Sequence, residues 1–439
     1  MKRLAWAFLP MALGSALAAG GLDSGSTAWM LASTALVLLM TPALAFFYGG
    51  LVGQKNVLNT MMMSFAVLAF GGVAWILLGY SLAFAPGTAY AGGLAYALAH
   101  GFMEKGKILV DGGLPVIVNL GFQGTFAIIT AALISGSLVG RMRFGAWLIF
   151  STLWILFVYA PIAHWVWGGG LLSKALDFAG GTVVHINAAT AGLVAALVLG
   201  ARKEFGRVAF LPHNIPFVLL GAGLLWFGWF GFNAGSALAA NESAALAFVN
   251  TMFAPAMTAV VWILLDYLKN GKATAVGVAT AVVVGLVAIT PAAGWVGPLG
   301  ALWIGALAAF PSYYFLLVRP RLGLDDSLDV FGAHGFGGIT GAILTGVFAA
   351  SAWNGGTPGG LEGNWAQVGY QVLAVLVVMA YSAVGTLVLL FVTRIFLPLR
   401  VPARDEAVGL DAALHGEEAY PTTEGAILVL DGERAGGAA

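Results

Sequence analysis

Cysteine is absent from this 439-residue chain, and charge is scarce. Without cysteine there is no disulfide scaffold, no thiolate-held metal or cluster and no thiol nucleophile. Charged residues make up 9%, against roughly 25% in a soluble domain, which excludes an ordinary soluble fold and intrinsic disorder. Lys+Arg 19 balance Asp+Glu 19. No face for a polyanion follows from that balance, so nucleic acid is not an expected partner. No G-x-x-x-x-G-K-[ST] phosphate loop occurs, hence no sign of an ATP motor. No G-x-S-x-G elbow occurs either, so no hydrolase nucleophile is indicated. What the chain has instead is apolar surface: 60% hydrophobic residues, a mean hydropathy of +0.93 and 62 glycines. That glycine share suits helices packed closely inside a bilayer.

A membrane span needs about 20 apolar residues. Eleven runs meet that length: 28–47, 57–84, 114–138, 146–166, 178–199, 215–233, 245–268, 274–290, 299–318, 331–350 and 368–396. The first 18 residues read differently. Lys2 and Arg3 precede a short apolar run, and Ala16-Leu17-Ala18 has the small-x-small form of a cleavage site, so 1–18 is expected to be a removed signal peptide rather than a twelfth span. Removal leaves the N-terminus outside and, after eleven crossings, the C-terminus inside. Twelve basic residues, among them Lys55, Arg141, Arg202, Lys269, Arg319 and Arg400, then fall in cytoplasmic segments, against Lys105, Lys107 and Lys174 outside. That asymmetry favours this topology in a plasma (inner) membrane. Three regions follow: the signal peptide 1–18, an eleven-span domain 19–398, and a polar cytoplasmic tail 399–439 whose end is expected to be disordered.

Ionisable residues inside spans are rare and informative. Asp177 is followed eight residues later by His185 in DFAGGTVVH, and Asp326 eight residues later by His334 in DSLDVFGAH. The first pair opens the fifth span, the second the tenth. An odd number of spans per half gives two inverted five-helix repeats plus a final helix. Eight helical residues rise about 12 Å, so both histidines reach the bilayer centre from opposite faces, where such transporters keep their site.

HWVWGGG at 164–170 and WFGWFGFNAGS at 226–236 end the fourth and sixth spans on the outer side. Trp167, Trp229, Phe232 and Ser236 are therefore expected at one outer mouth. Aromatic faces attract a cation by about 0.5–2 kcal/mol, and a hydroxyl accepts an N–H. A small cation with N–H donors fits these groups better than an anion does. Asp177 has two readings: a direct cation ligand, or an N-cap of the fifth span. The cap is preferred, with an electrostatic contribution to cation attraction.

FYGGL at 47–51, FQGTFAIIT at 122–130, PIAHWVWGGG at 161–170, DFAGGTVVHINAA at 177–189, WFGFNAGS at 229–236 and DDSLDVFGAHG at 325–335 resemble the ammonium transporter (Amt/Mep/Rh) family, closest to its bacterial branch. The resemblance runs from about residue 28 to Tyr420. It implies an all-α, eleven-span homotrimer with one pore per subunit and no cofactor, a transporter rather than an enzyme. By motif position, the family's outer ammonium site falls on Phe126, Trp167 and Ser236, with Asp177 nearby. Its phenylalanine gate falls on Phe126 and Phe232, its pore histidines on His185 and His334, and an outer-mouth tyrosine on Tyr159. GLDAALHGEEAY at 409–420 is similar to the tail that meets a PII-type regulator in bacterial members. The mechanism expected is recruitment of NH4+ outside, deprotonation, and passage of NH3 along the histidine pair with separate proton return. The alternative is an ammonium sensor signalling through its tail.

Overall fold

The computed structural model describes residues 21–420; the signal peptide expected at 1–18 and the far end of the tail lie outside the described residues. Among these residues, ten helices are long and apolar enough to cross a membrane: α1 (Ser24–Leu51), α2 (Gln54–Phe84), α3 (Val116–Ser135), α4 (Phe144–Val166), α5 (Gly181–Leu199), α6 (Ile215–Gly235), α7 (Glu242–Asn270), α9 (Pro298–Leu322), α10 (Phe331–Phe348) and α11 (Trp365–Phe396). Between α7 and α9 lies a shorter apolar helix, α8 (Ala275–Ile289). The eleven spans read from the sequence are therefore all present. The eighth is shorter than read because Thr290 to Val296 continue as turns that carry Pro291.

Helix starts follow local chemistry. Asp23 Oδ1 accepts Ser26 N–H at 2.8 Å, Asn214 accepts Phe217 N–H, Asn241 accepts Ala244 N–H, and Thr274 accepts Gly277 N–H. Each satisfies a backbone donor that the helix leaves free. Close packing of α1 on α6 depends on missing side chains. A Cβ on Gly221 would fall 2.4 Å from Phe47 N, and one on Gly231 would fall 2.9 Å from Ser33 O. This is the close backbone approach that small residues permit between membrane helices.

The two halves of the chain meet at α5 and α10, which begin at opposite ends of the bundle. Each opens on a wide π-helical turn, Gly181–Ile186 and Phe331–Phe336, and each such turn carries its histidine. α11 lies across both halves: Ser382 Oγ donates to Asn187 O in α5 at 2.8 Å, and Gln371 Nε2 donates to Ala342 O in α10 at 2.9 Å. Apolar side chains such as Val73, Phe227, Leu264 and Phe391 stay exposed on outward faces, as expected of a protein solvated by lipid.

Two features outside the helices had no counterpart in the sequence reading. Between α2 and α3, β1 (Met103–Glu104) pairs with β2 (Lys107–Ile108), and β3 (Val110–Asp111) with β4 (Leu114–Pro115). Their two-residue loops, Lys105-Gly106 and Gly112-Gly113, all have positive φ, the geometry that matches strand twist in tight hairpins. At the opposite end, the tail folds back on the bundle. Val401 N–H donates to Arg141 O, Lys55 Nζ to Ala407 O, and Asp411 accepts N–H bonds from Leu58 and Asn59 at the start of α2.

Candidate functional site

A single line of side chains descends through the bundle between its two ends. At the end carrying the hairpins, half-buried Trp167 donates its Nε1–H to Asp177 O at 2.9 Å and meets the Phe126 ring edge-on at 6.0 Å. Beneath it Phe126 and Phe232 stack with centroids 4.0 Å apart and planes 20° apart, both essentially without exposed surface. The stack closes the line to water. Phe232 in turn lies 6.0 Å from the His185 ring.

Below this seal the two histidines come together. His334 Nδ1 sits 3.2 Å from His185 Nδ1, and the rings lie 27° apart in plane. Around them Met40, Leu44, Ile129, Val184, Leu225 and Val283 line a cavity of about 10 Å³, room for about one water. His334 also borders a second cavity of about 550 Å³ at the tail end, lined by Tyr48, Phe205, Trp262, Tyr313 and Asp329 among others. The pair thus stands between a narrow passage closed by the Phe126–Phe232 stack and a wide vestibule.

The carboxylates preceding the histidines act as caps. Asp177 Oδ1 accepts Gly180 and Gly181 N–H, and Oδ2 accepts Thr182 and Val183 N–H together with the Thr182 hydroxyl. Five donors at a helix N-terminus complement a buried negative charge. The preferred reading of Asp177 therefore matches the geometry: both carboxylate oxygens serve the cap, and only its backbone carbonyl bonds Trp167. Asp326 does the equivalent in the other half, with Oδ2 accepting Phe331 N–H at 2.7 Å and Oδ1 accepting the Ser137 hydroxyl at 2.7 Å.

Other residues differ from expectation. Trp229 is not at the outer mouth. It stacks on His185 at 5.4 Å and donates Nε1–H to Thr290 Oγ1 at 2.8 Å, which puts it beside the histidine pair, because residue 229 lies nearly one helical turn inside Phe232. Tyr159 is wholly buried, with its ring edge against Trp75 at 5.8 Å. Ser236 lies at the end of α6 and donates to Phe232 O, leaving its lone pairs free to accept. Thr290 and Gln371 were missed by the sequence reading, although an amide inside an apolar span is itself a signal.

At the tail end a buried charge cluster fixes the loop leading into α10. Arg202 binds Asp325 through Nε at 2.9 Å and Nη2 at 2.7 Å, while Arg141 donates to Asp325 O and Ser327 Oγ. Burial lowers Arg141 to about 10, still charged at neutral pH. Beside the vestibule, burial pushes Asp329 up to about 7 against the pull of Arg319. Among the described residues no cluster of three or more His, Asp or Glu suited to a metal ion occurs.

A family model described as Ammonium Transporter Family matches residues 28–420. An ammonium transporter of Aquifex aeolicus is 53% identical over 405 residues, covering 91% of this chain and 94% of the relative. The crystal structure of Saccharomyces cerevisiae Mep2 superposes with a TM-score of 0.81 at 34% identity, covering 89% of this chain and 92% of that one. A structure described as a Sensor Amt Protein superposes with a TM-score of 0.82 at 25% identity, over 89% and 98%.

Proposed function

The chain belongs to the ammonium transporter family, and on that premise we propose that it carries ammonium across a membrane through the line of residues from Trp167 to His334. The homologues are named as transporters, not enzymes. NH4+ gathers at the outer face against the π faces of Trp167 and Phe126, with Ser236 accepting an N–H. Asp177, capping α5, adds negative potential without touching the ion. Past the stacked Phe126 and Phe232 the ion gives up its proton to the outer end of the histidine pair, NH3 crosses beside His185 and His334, and the proton handed along the pair rejoins NH3 on the inner side. Net transport is electrogenic.

The observation that carries this reading is the Nδ1 to Nδ1 contact of 3.2 Å inside an apolar cavity sealed by stacked phenylalanines. A bare cation there loses several kcal/mol or more of hydration. Losing a proton first removes most of that penalty, and K+ has no proton to lose. The histidines offer hydrogen-bonding groups that can exchange a proton in an otherwise dry passage.

The same reading includes a homotrimer with one pore per subunit, the N-terminus outside after removal of 1–18, the tail in the cytoplasm, and a PII-type regulator as its partner. Clustering of Arg141, Arg202 and Arg400 with the tail at one end supports that orientation. Purified protein in liposomes, given an inward ammonium gradient, tests the function. Ammonium-dependent current with none from an equal K+ gradient is expected. Folded protein that passes neither current nor ammonia overturns it.

A further inference from the structure

α11 contains an 18-residue stretch of mean hydropathy 2.5, yet near its start it carries Gln371 at 1% exposure. A side-chain amide there is costly unless its polar atoms are bonded. Gln371 meets that demand with backbone groups from both halves of the chain. Its Oε1 accepts Leu176 N–H at 2.7 Å, and its Nε2 donates to Leu176 O at 2.8 Å and to Ala342 O at 2.9 Å. Gln367, one turn earlier, donates to Gln371 Oε1 at 3.2 Å and to Lys174 O at 3.0 Å. Both backbone groups of Leu176 are thus held by one side chain, much as a neighbouring strand would hold them.

The next residue is Asp177. Its carbonyl accepts the Trp167 indole N–H, and its carboxylate caps the helix that carries His185. Ala342 lies in α10, eight residues after His334. The amide of Gln371 therefore ties the final helix to the segment that fixes the Trp167 ring and to the helix of the second histidine. An apolar side chain of equal length would hold α11 in place by packing. It would not fix the position of the 174–177 backbone.

From these contacts we infer that Gln371 is a positioning residue for the outer cation site, acting through Leu176 and the Asp177 carbonyl on the plane of the Trp167 ring. This rests on the reading of Trp167 as part of that site. Gln371 touches no transported species. Removing its amide lets the 174–177 backbone shift, the indole loses its acceptor, and its face turns from the approaching ion.

The test is a double-mutant cycle on protein in liposomes, reading half-saturation for ammonium separately from maximal flux. Gln371→Met in the wild-type background is expected to raise half-saturation about three- to tenfold, with maximal flux within about twofold; in a Trp167→Leu background the same change is expected to add nothing, because coupled residues do not add. Gln371→Glu keeps an acceptor for Leu176 N–H. It is expected to fall between Met and wild type, and it replaces Met should that variant fail to fold. Additive effects of the two substitutions overturn the inference and leave the Trp167 site standing. So does a loss of maximal flux at unchanged half-saturation, which marks a purely structural bond. A Trp167→Leu variant with wild-type half-saturation overturns the site reading itself, whatever Gln371 does.

Discussion

His185 and His334 face each other through like atoms, Nδ1 to Nδ1, at 3.2 Å. Two bare nitrogens at that distance would repel, so one ring donates and the other accepts. When both rings are neutral, one has its remaining proton used in the contact and a bare Nε2, and the other keeps Nε2–H. The pair then presents one acceptor and one donor at its two ends. Shifting the shared proton, with one gained and one lost at the ends, reverses the direction and moves a proton across. Single replacements His185→Ala and His334→Ala are expected to lower ammonium current by ~100-fold, the lower range for a positioned acid–base group. Where water fills the gap, K+ current appears. Both currents are read in liposomes. A double alanine variant with wild-type ammonium current and no K+ current would sink the proton-relay mechanism.

The outer site makes a different prediction, because it concerns affinity and not conduction. Trp167 stands half-exposed above the sealed phenylalanine stack. Trp167→Leu is expected to remove about 1–2 kcal/mol of cation attraction, which is roughly tenfold in half-saturation, with flux recovered at high ammonium. A flux curve that does not move along the concentration axis would assign Trp167 to an interfacial aromatic belt.

The cluster at the start of α10 links stability to pH. Burial alone raises the Asp325 carboxyl, but the hydrogen bonds and charges of Arg202 and Arg141 outweigh it and hold the group below 3.8. A depressed carboxyl contributes stability above its unfolded pKa and loses it as pH falls through the folded one. Asp325→Asn strands the buried Arg141 and removes the partner of half-buried Arg202, and is expected to cost about 3–5 kcal/mol at neutral pH. The gap in unfolding midpoint between wild type and variant then narrows below about pH 4. A gap constant from pH 7 to pH 3 would show that the ion pairs add nothing.

Much of this was legible in sequence, for identifiable reasons. Spans were found within a few residues, as with 146–166 against Phe144–Val166, because a bilayer imposes a length and tolerates little charge. The Asp-to-His spacing of eight drew attention to both histidines and, at Asp177, to the cap, since capping and helical rise are local rules; the matching cap at Asp326 came only from the structure. Trp229 was misplaced because run composition does not say how deep a residue sits along the pore. The hairpins at 103–115 and the bonds of Gln371 escaped too. The first rest on positive-φ pairs in a polar loop, the second on partners 195 and 29 positions away in sequence.

The tail carries the last prediction, since its docking depends on one backbone turn. Gly409 has φ of +115°, and a Cβ there would fall 2.5 Å from Lys55 Cβ and 2.6 Å from Lys55 O. The turn delivers Asp411 to the N-terminus of α2, where it accepts Leu58 and Asn59 N–H at 3.0 and 2.8 Å. Gly409→Val meets both the clash and the unfavourable φ, the latter alone about 1–2 kcal/mol, enough to shift docking by a factor of ~5–30. The spans are complete before this point, so the bundle should keep its unfolding midpoint. Arg404 lies in the exposed short helix Ala403–Val408 of the tail, and trypsin should cut after it faster in the variant by about that factor. Equal cleavage rates in variant and wild type would mean that the Gly409 turn does not hold the tail to the bundle.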